Sequence, residues 1–236
     1  MVVGAAGVPL LNNTFFESVL AIKMSCGIEY RPMQTRRPQL LVATNNPGKL
    51  LEFQALFTGV PLDLVGLDRF DNVVEVEETG ATFAENAALK AGGYAIQAAS
   101  VTLADDSGLE VEALGGRPGV LSARYGGAES TFDQKMSMLL EELDETGDKT
   151  RRARFVAAMA IADETGHILH TARGICSGTI AAEPRGSGGF GYDPLFIPEG
   201  YDRTFGELPE SVKREISHRG RAFLQIIPFL RGFFAI

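Results

Sequence analysis

The feature that constrains this chain most is the stretch 103–109, which reads Leu-Ala-Asp-Asp-Ser-Gly-Leu. The apolar run 101–104 suits a buried strand, and two adjacent carboxylates, Asp105 and Asp106, stand where that strand is expected to end. Adjacent aspartates repel each other, and a hard cation such as Mg²⁺, which prefers oxygen ligands, would offset the repulsion. The alternative is a solvated turn, since Asp, Ser and Gly are common turn residues. Both interpretations predict a turn here, followed by a second strand over 109–113.

Composition sets the class of protein. The chain has 236 residues, 45% of them hydrophobic and 22% charged, which suits one large or two small globular domains. Its net charge of −8 argues against broad nucleic-acid binding, which needs a basic surface, although a nucleotide needs only a local basic pocket. Two cysteines without metal spacing favour a reducing cytoplasm. No apolar run approaches the length of a membrane span, and the first residues lack the basic start of a signal peptide.

The first segment differs from the rest of the chain. Residues 1–38 have no sustained hydrophobic periodicity and end in a polar run over 34–38. Such a segment is predicted to be a poorly ordered N-terminal extension. The domain itself is expected to occupy residues 39–236.

A strand, a polar loop and a helix are predicted in succession at residues 40–57. The apolar run 40–43 suits a buried strand, and the apolar residues of 50–57 fall largely on one helical face. Lys49 stands at the helix start, where unpaired N–H groups and the positive end of the helix dipole attract phosphate. The alternative is an ordinary connection with a proline in the first helical turn, because the P-loop spacing is absent. The loop consists of Thr44, Asn45, Asn46, Pro47, Gly48 and Lys49.

A second helix is predicted over 83–98. Thr82 can cap it, and Glu85 three residues later completes the spacing of a capping box. Glu78, just before this helix, could reach the same cation as Asp106, or could simply favour the helix dipole. Both interpretations stay open at this point.

The middle of the chain predicts further elements of a mixed fold. A strand is expected over 62–67, an amphipathic helix over 131–145, and a hairpin formed by 154–162 and 167–180. A last strand is expected over 195–197. The two strands of the hairpin are long for a sheet that also has helices.

A glycine-rich loop over 183–194 carries two aromatic residues, Phe190 and Tyr192. An aromatic face can stack on a nucleobase, Gly191 allows close approach of the backbone, and Asp193 can accept a hydrogen bond from a base N–H. The alternative is a connection whose aromatic side chains pack inward.

The last predicted helix covers 209 to about 227 and is expected to end or kink at Pro228. Lys213 and Arg219 could meet anionic oxygen, and His218 with Arg219 could donate to a base carbonyl. The alternative is a charged, solvated C-terminal helix.

Six ordered blocks carry a resemblance to a known family. They are Thr44–Lys49, Glu78–Gly80 with Phe83–Ala87, Ala104–Leu109, Pro118–Gly119 with Ser122–Tyr125, Gly189–Pro194 and Ser217–Arg219. Over about residues 39–235 the chain resembles the inosine/xanthosine triphosphate pyrophosphatases, which act on deaminated purine nucleotides.

The resemblance implies an α/β fold with an elongated, mixed, bent sheet flanked by helices, two lobes and a central nucleotide cleft. It implies Mg²⁺-dependent cleavage of dITP, ITP, XTP and dXTP to the monophosphate and pyrophosphate, usually by a homodimer. Asp106 matches the proton acceptor and a metal ligand, and Glu78 matches a further group in the metal site. The matched substrate contacts are Thr44, Asn45, Asn46, Pro47, Gly48, Lys49, Ser107, Phe190, Gly191, Tyr192, Asp193, Lys213, His218 and Arg219.

Two other functions fit parts of the pattern. One is a pyrophosphatase for modified pyrimidine nucleotides, whose smaller base would still stack on Phe190. The other is a non-catalytic nucleotide sensor, which would keep the loops and lose the acidic pair. The presence of both Asp105 and Asp106 argues against a sensor.

Overall fold

The computed structural model describes residues 37–127 and 129–236. Apart from Arg37 and Pro38, the predicted N-terminal extension therefore lies outside the described residues. The strands are β1 Gln39–Val42, β2 Asp63–Val65, β3 Thr102–Val111, β4 Arg152–Ala162, β5 Ile168–Ile180 and β6 Phe196–Pro198. The α-helices are α1 Pro47–Leu56, α2 Phe83–Ala98, α3 Phe132–Glu145, α4 Glu210–Ile216 and α5 His218–Phe234.

The strands form one mixed sheet in the order β2-β1-β3-β4-β5-β6. The pairs β1–β2 and β1–β3 are parallel, and the remaining neighbours are antiparallel. Long antiparallel pairing of β3, β4 and β5 dominates the sheet, and helices pack against it. The predicted fold class, a mixed α/β sheet flanked by helices, is confirmed.

The predicted turn after residue 104 is wrong. The chain continues as the single strand β3 through Asp105 and Asp106, which pair in register with Met159 and Ala158 of β4. Successive side chains of a strand point to opposite faces, so the two carboxylates are directed apart and do not share a cation. Gly108 serves close packing here, because a Cβ atom at this position would lie 2.4 Å from the Ser122 hydroxyl oxygen.

The helix α2 forms where the local signals predict it. Thr82 accepts a hydrogen bond from the Glu85 N–H, and the Glu85 carboxylate accepts from the Thr82 N–H, which completes the capping box. Small and aromatic residues of this helix, such as Ala87, Ala91 and Tyr94, are buried against the sheet.

The C-terminal helix also differs from the prediction. It is divided into α4 and α5 at Ser217, whose hydroxyl accepts a hydrogen bond from the Gly220 N–H and so caps α5. Pro228 does not end α5, which continues to Phe234. This division turns the side chains of Lys213, His218 and Arg219 into the protein, where each is at most 6% exposed.

Among the helices of the described residues, none has the length and apolar character needed to cross a membrane.

Candidate functional site

A cleft of about 240 Å³ opens where the end of β1, the middle of β3, and the helices α2 and α5 meet. One end of the cleft, the α1 end, is formed by residues 44–49. The other, the glycine-loop end, is formed by residues 183–194. All predicted site residues except Pro47 and Gly48 line this cleft. Sequence positions separated by more than 150 residues are thus brought together.

The α1 end is shaped by helix capping. The Asn46 side-chain oxygen accepts a hydrogen bond from the Lys49 N–H at 3.1 Å, and the Thr44 hydroxyl oxygen accepts from the Asn46 N–H at 3.1 Å. These bonds fix the loop and leave the Lys49 ammonium at the cleft, 3.3 Å from the Asp105 carboxylate. The α1 end therefore presents a cation and amide groups that suit an anion.

Asp105 is held in place by cations from distant parts of the chain. Arg219 Nε and Nη2 both donate to Asp105 Oδ2, at 3.2 and 2.9 Å, and Arg219 Nη2 also donates to the Ser107 hydroxyl at 2.8 Å. Burial alone would raise the pKa of Asp105, but Lys49 and Arg219 outweigh burial and hold this pKa well below its usual range. Asp105 is therefore a fixed negative charge behind the cleft.

Arg219 supports stability as well as the site, because its guanidinium group also contacts the Glu52 carboxylate. We expect Arg219→Met to lower the free energy of unfolding by about 3–5 kcal/mol, since it removes a buried cation that two carboxylates share and leaves Asp105 with Lys49 alone and Glu52 with Lys213 alone. Urea denaturation measures the change. The control Arg154→Met breaks an exposed pair with Glu110 and should cost no more than about 1 kcal/mol. Similar losses for both variants would contradict this account.

Asp106 points to the other face of β3, towards α2. The Asn86 side-chain amide donates to Asp106 Oδ2 at 3.1 Å, and the Lys90 ammonium lies 3.5 Å from Asp106 Oδ1. Burial raises the pKa of Asp106, and Lys90 and Lys49 offset only part of this effect. A carboxylate with a raised pKa that lines a cleft is suited to accept a proton.

Glu78 lies beside the same lysine, with its carboxylate 2.9 Å from the Lys90 ammonium. Lys90 therefore stands between the two carboxylates that were predicted to hold a metal ion. Within residues 37–127 and 129–236, no group of three or more His, Cys, Asp or Glu side chains is arranged for a metal. Any cation here would have two protein carboxylates and would take its other ligands from substrate and water. Mg²⁺ often binds in this way.

The glycine-loop end combines an aromatic ring with a buried ion pair. Lys213 Nζ lies 2.5 Å from Asp193 Oδ2, which also accepts a hydrogen bond from the Phe190 N–H at 2.7 Å. The Phe190 ring is half-buried at the cleft, with the Lys213 ammonium 4.8 Å from its centroid. Tyr192 instead packs inward, where its hydroxyl donates to the Ser122 carbonyl oxygen at 3.1 Å. Of the two predicted stacking residues, Phe190 is the more accessible.

Gly48 connects the two ends by contact. A Cβ atom at this position would lie 2.6 Å from Phe190 Cδ1 and 2.7 Å from Phe190 Cγ. We expect Gly48→Ala to displace the Phe190 ring and to raise KM at least about 10-fold, since roughly 1–3 kcal/mol is typical for one stacked base. Steady-state kinetics on a nucleotide substrate measures the change. Gly232→Ala, at a helical position outside the cleft where a Cβ atom meets nothing within 4 Å, measures the effect of a glycine replacement elsewhere. An unchanged KM in Gly48→Ala would contradict the predicted displacement.

His218 is the first residue of α5, and its ring stacks on Phe155 with the centroids 4.8 Å apart. Burial, together with Arg219 and Lys213, lowers the pKa of His218 well below its usual value, so the ring is neutral at pH 7. Its buried Nδ1 has no hydrogen-bond partner among the described residues. By contrast, Arg219 already donates from Nε and both terminal nitrogens. Of these two predicted base contacts, His218 is the one with an uncommitted polar atom.

Sequence reasoning missed three side chains that shape the site, namely Glu52, Asn86 and Lys90. Lys90 and Asn86 lie one helical turn apart on α2, and both contact Asp106. A buried lysine and asparagine on an alanine-rich helix face were a detectable signal. Glu52 follows Lys49 by three residues on α1, and in the sequence it resembles an ordinary surface glutamate. The residues around it therefore give no signal of a role in the site.

The comparison with known proteins agrees with this architecture. Residues 40–229 match the sequence model of the Ham1 family. A dITP/XTP pyrophosphatase from Exiguobacterium sp. is 45% identical over 198 residues, which cover 82% of this chain and 100% of that protein. A dITP/XTP pyrophosphatase from Prochlorococcus marinus is 46% identical over 193 residues, which cover 82% of this chain and 92% of that protein.

Solved structures show the same likeness. The structure of a Ham1 protein from Coxiella burnetii superposes with a TM-score of 0.76 at 38% identity, covering 83% of this chain and 99% of that one. A nucleoside-triphosphatase, dITP/XTP pyrophosphatase, from Mycobacterium abscessus superposes with a TM-score of 0.65 at 40% identity, covering 80% of this chain and 99% of that one.

Proposed function

This chain belongs to the Ham1 family, and from that premise we propose that it hydrolyses dITP, ITP, XTP and dXTP to the nucleoside monophosphate and pyrophosphate. The observation that carries the proposal is one cleft in which a cationic loop, a buried carboxylate of raised pKa and an aromatic loop meet. The relatives from Exiguobacterium and Prochlorococcus, both dITP/XTP pyrophosphatases, support the same substrate class.

The proposed reaction begins with the attack of water on the α-phosphorus. Asp106 accepts the proton of that water, and the bond from the α-phosphorus to the oxygen of the β-phosphate breaks, so that pyrophosphate leaves. Lys49, at the α1 end, offsets the negative charge that develops on the leaving group. Asn86 and Lys90 hold the Asp106 carboxylate in the cleft.

Mg²⁺ is proposed as the cofactor, held by Asp106 and Glu78. Both are oxygen donors that line the cleft on either side of the same lysine, and two carboxylates suffice when phosphate and water supply the other ligands. When bound, the ion offsets charge on the leaving pyrophosphate.

The base is proposed to stack on Phe190 and to meet His218. Hypoxanthine and xanthine carry a carbonyl group at C6, where adenine carries an amino group. An N–H donor of the neutral His218 ring would bond to the carbonyl and oppose the amino group. A buried donor or acceptor that loses its partner costs about 1–3 kcal/mol, which corresponds to roughly 5- to 150-fold in affinity.

The finer parts of the proposal rest on the resemblance of the six sequence blocks. These finer parts are that the protein acts as a homodimer, that it is located in the cytoplasm, and that it removes deaminated purines from the nucleotide pool. Light scattering on the purified chain tests the dimer, which would be excluded by a mass of 25.3 kDa at micromolar concentration.

Product analysis tests the reaction itself. The purified chain with inosine triphosphate and Mg²⁺ should release pyrophosphate, and in ¹⁸O-labelled water the label should appear only in the monophosphate. Chelation of the metal should abolish turnover, and added Mg²⁺ should restore it. Release of orthophosphate, or label in the pyrophosphate, would contradict attack at the α-phosphorus.

A further inference from the structure

Six charged side chains, each buried or half-buried, form a continuous line along one side of the cleft, with their charges alternating in sign. We call this line the charge chain. In order from the α1 end to the glycine-loop end, its members are Lys49, Asp105, Arg219, Glu52, Lys213 and Asp193. The last member accepts a hydrogen bond from the backbone N–H of the glycine loop, so the charge chain runs from one end of the site to the other.

Glu52 is the central link of the charge chain. Its Oε1 atom lies 2.5 Å from Lys213 Nζ, and its Oε2 atom contacts Arg219 Nη1. It is therefore the residue that joins the α4 lysine to the α5 arginine, from a position on α1. Burial alone would raise the pKa of Glu52, but Arg219 and Lys213 outweigh burial and lower this pKa, which keeps the carboxylate charged.

Glu52 does not line the cleft. It lies behind Lys213 on the side of α1 that faces α4, so its contacts go to other side chains of the charge chain. Phe190 belongs to the same group, because its ring lies 4.8 Å from Lys213 Nζ and 5.8 Å from Arg219 Cζ. Both cations that Glu52 holds thus contact the ring proposed to stack on the base.

We propose that Glu52 is a positioning residue that fixes the glycine-loop end of the site to α1, and so determines how tightly the base is held. The inference rests on the proposed nucleotide function of the cleft. Without the Glu52 charge, Lys213 and Arg219 would repel each other with no anion between them, and Lys213 would keep only Asp193. Asp105 would still hold Lys49 and Arg219, so the α1 end would keep its shape.

The test uses the isosteric variant Glu52→Gln. For inosine triphosphate, we expect KM to rise at least 10-fold while kcat falls less than 3-fold, because the base is held poorly and the reacting groups are undisturbed. Two part-ligands separate the ends of the site when used as inhibitors. The inhibition constant of inosine monophosphate should rise at least 10-fold, and that of inorganic tripolyphosphate, which has no base, should stay within 2-fold.

Two further variants keep the test decisive. Glu110→Gln removes the same charge from an exposed pair with Arg154 outside the cleft and should leave all four constants unchanged. Glu52→Asp keeps the charge on a shorter side chain that cannot reach both cations equally well. Its KM should fall between those of the wild type and Glu52→Gln, and this variant carries the test if the glutamine variant does not fold.

A double-variant cycle tests the route through Lys213. If Glu52 acts by positioning this lysine, then Glu52→Gln added to Lys213→Met should change KM less than 3-fold beyond Lys213→Met alone. If the fold-increases in KM of the two single variants multiplied in the double variant, the proposed route through Lys213 would be overturned.

The inference would also be overturned if Glu52→Gln raised the inhibition constants of inosine monophosphate and tripolyphosphate by the same factor. It would equally be overturned if Glu52→Gln and Glu52→Asp both behaved as the wild type. The proposed function fails in a different way. In that case the unaltered chain itself would not hydrolyse inosine triphosphate, whatever residue stands at position 52.

Discussion

Asp106→Asn is expected to lower kcat for pyrophosphate release by about 1,000-fold, because general-base catalysis typically contributes 10²- to 10⁴-fold. The asparagine side chain occupies the same volume, and its carbonyl oxygen can still accept the hydrogen bond from Asn86. The fold should therefore be retained while the proposed proton acceptor is lost. Steady-state kinetics and thermal unfolding, measured on the same preparation, separate these two effects.

Asp202→Asn is the matched control for this prediction. Asp202 is exposed, does not line the cleft, and undergoes the same chemical change, so this variant should keep wild-type kcat. A kcat within 10-fold of the wild type in Asp106→Asn would show that another group accepts the proton.

Lys90→Met is the second substitution with a large expected effect. The Lys90 ammonium lies between Glu78 and Asp106. Burial alone would lower the pKa of Lys90, but Asp106, Asp105 and Glu78 together outweigh burial and raise it. Removal of a charge positioned at a reaction centre typically costs 10²- to 10³-fold, so we expect kcat to fall about 100-fold. The midpoint of thermal unfolding should also fall, because two carboxylates then face each other without their cation.

Added Mg²⁺ should recover part of the lost thermal stability of Lys90→Met if Glu78 and Asp106 hold the ion. Unfolding is measured with and without Mg²⁺, and Lys90→Arg, which keeps the positive charge, serves as the control. A melting midpoint for Lys90→Met that is unaffected by the ion would contradict the proposed metal ligands.

Local sequence signals were sufficient to predict those helices and strands that are stabilised by residues close together in the sequence. The boundaries of α2 follow from the capping box at Thr82 and Glu85, whose hydrogen bonds join residues three apart. The hairpin of β4 and β5 likewise follows from apolar runs on either side of a short polar turn. The residues that line the cleft were predicted from the resemblance of the six sequence blocks to the pyrophosphatase family.

The course of the chain at Asp105 and Asp106 could not be predicted locally, because the groups that offset their charges are remote. Arg219, which bonds to Asp105, is 114 residues away, and Lys90, beside Asp106, is 16 residues away. Without these partners, two adjacent aspartates favour a turn, which both interpretations of the sequence predicted. With them, both carboxylates are accommodated inside a strand.

The division of the C-terminal helix was missed for a different reason. Ser217 is a favourable N-cap residue, and its bond to the Gly220 N–H is local, so the signal was present. It was obscured by helical periodicity that continues through Ser217. The consequence for the site is large, because the start of α5 is what directs His218 and Arg219 into the protein.

The most direct test of the account compares kcat/KM of the purified chain for deoxyinosine, xanthosine, deoxyadenosine and deoxyguanosine triphosphates with Mg²⁺. The account predicts efficient pyrophosphate release from the first two and a preference for deoxyinosine over deoxyadenosine triphosphate of at least about 5-fold, the lower bound for one mismatched buried donor. Equal values for these two nucleotides would contradict recognition of the C6 carbonyl group. Binding of all four nucleotides without release of pyrophosphate would contradict the proposed hydrolysis itself.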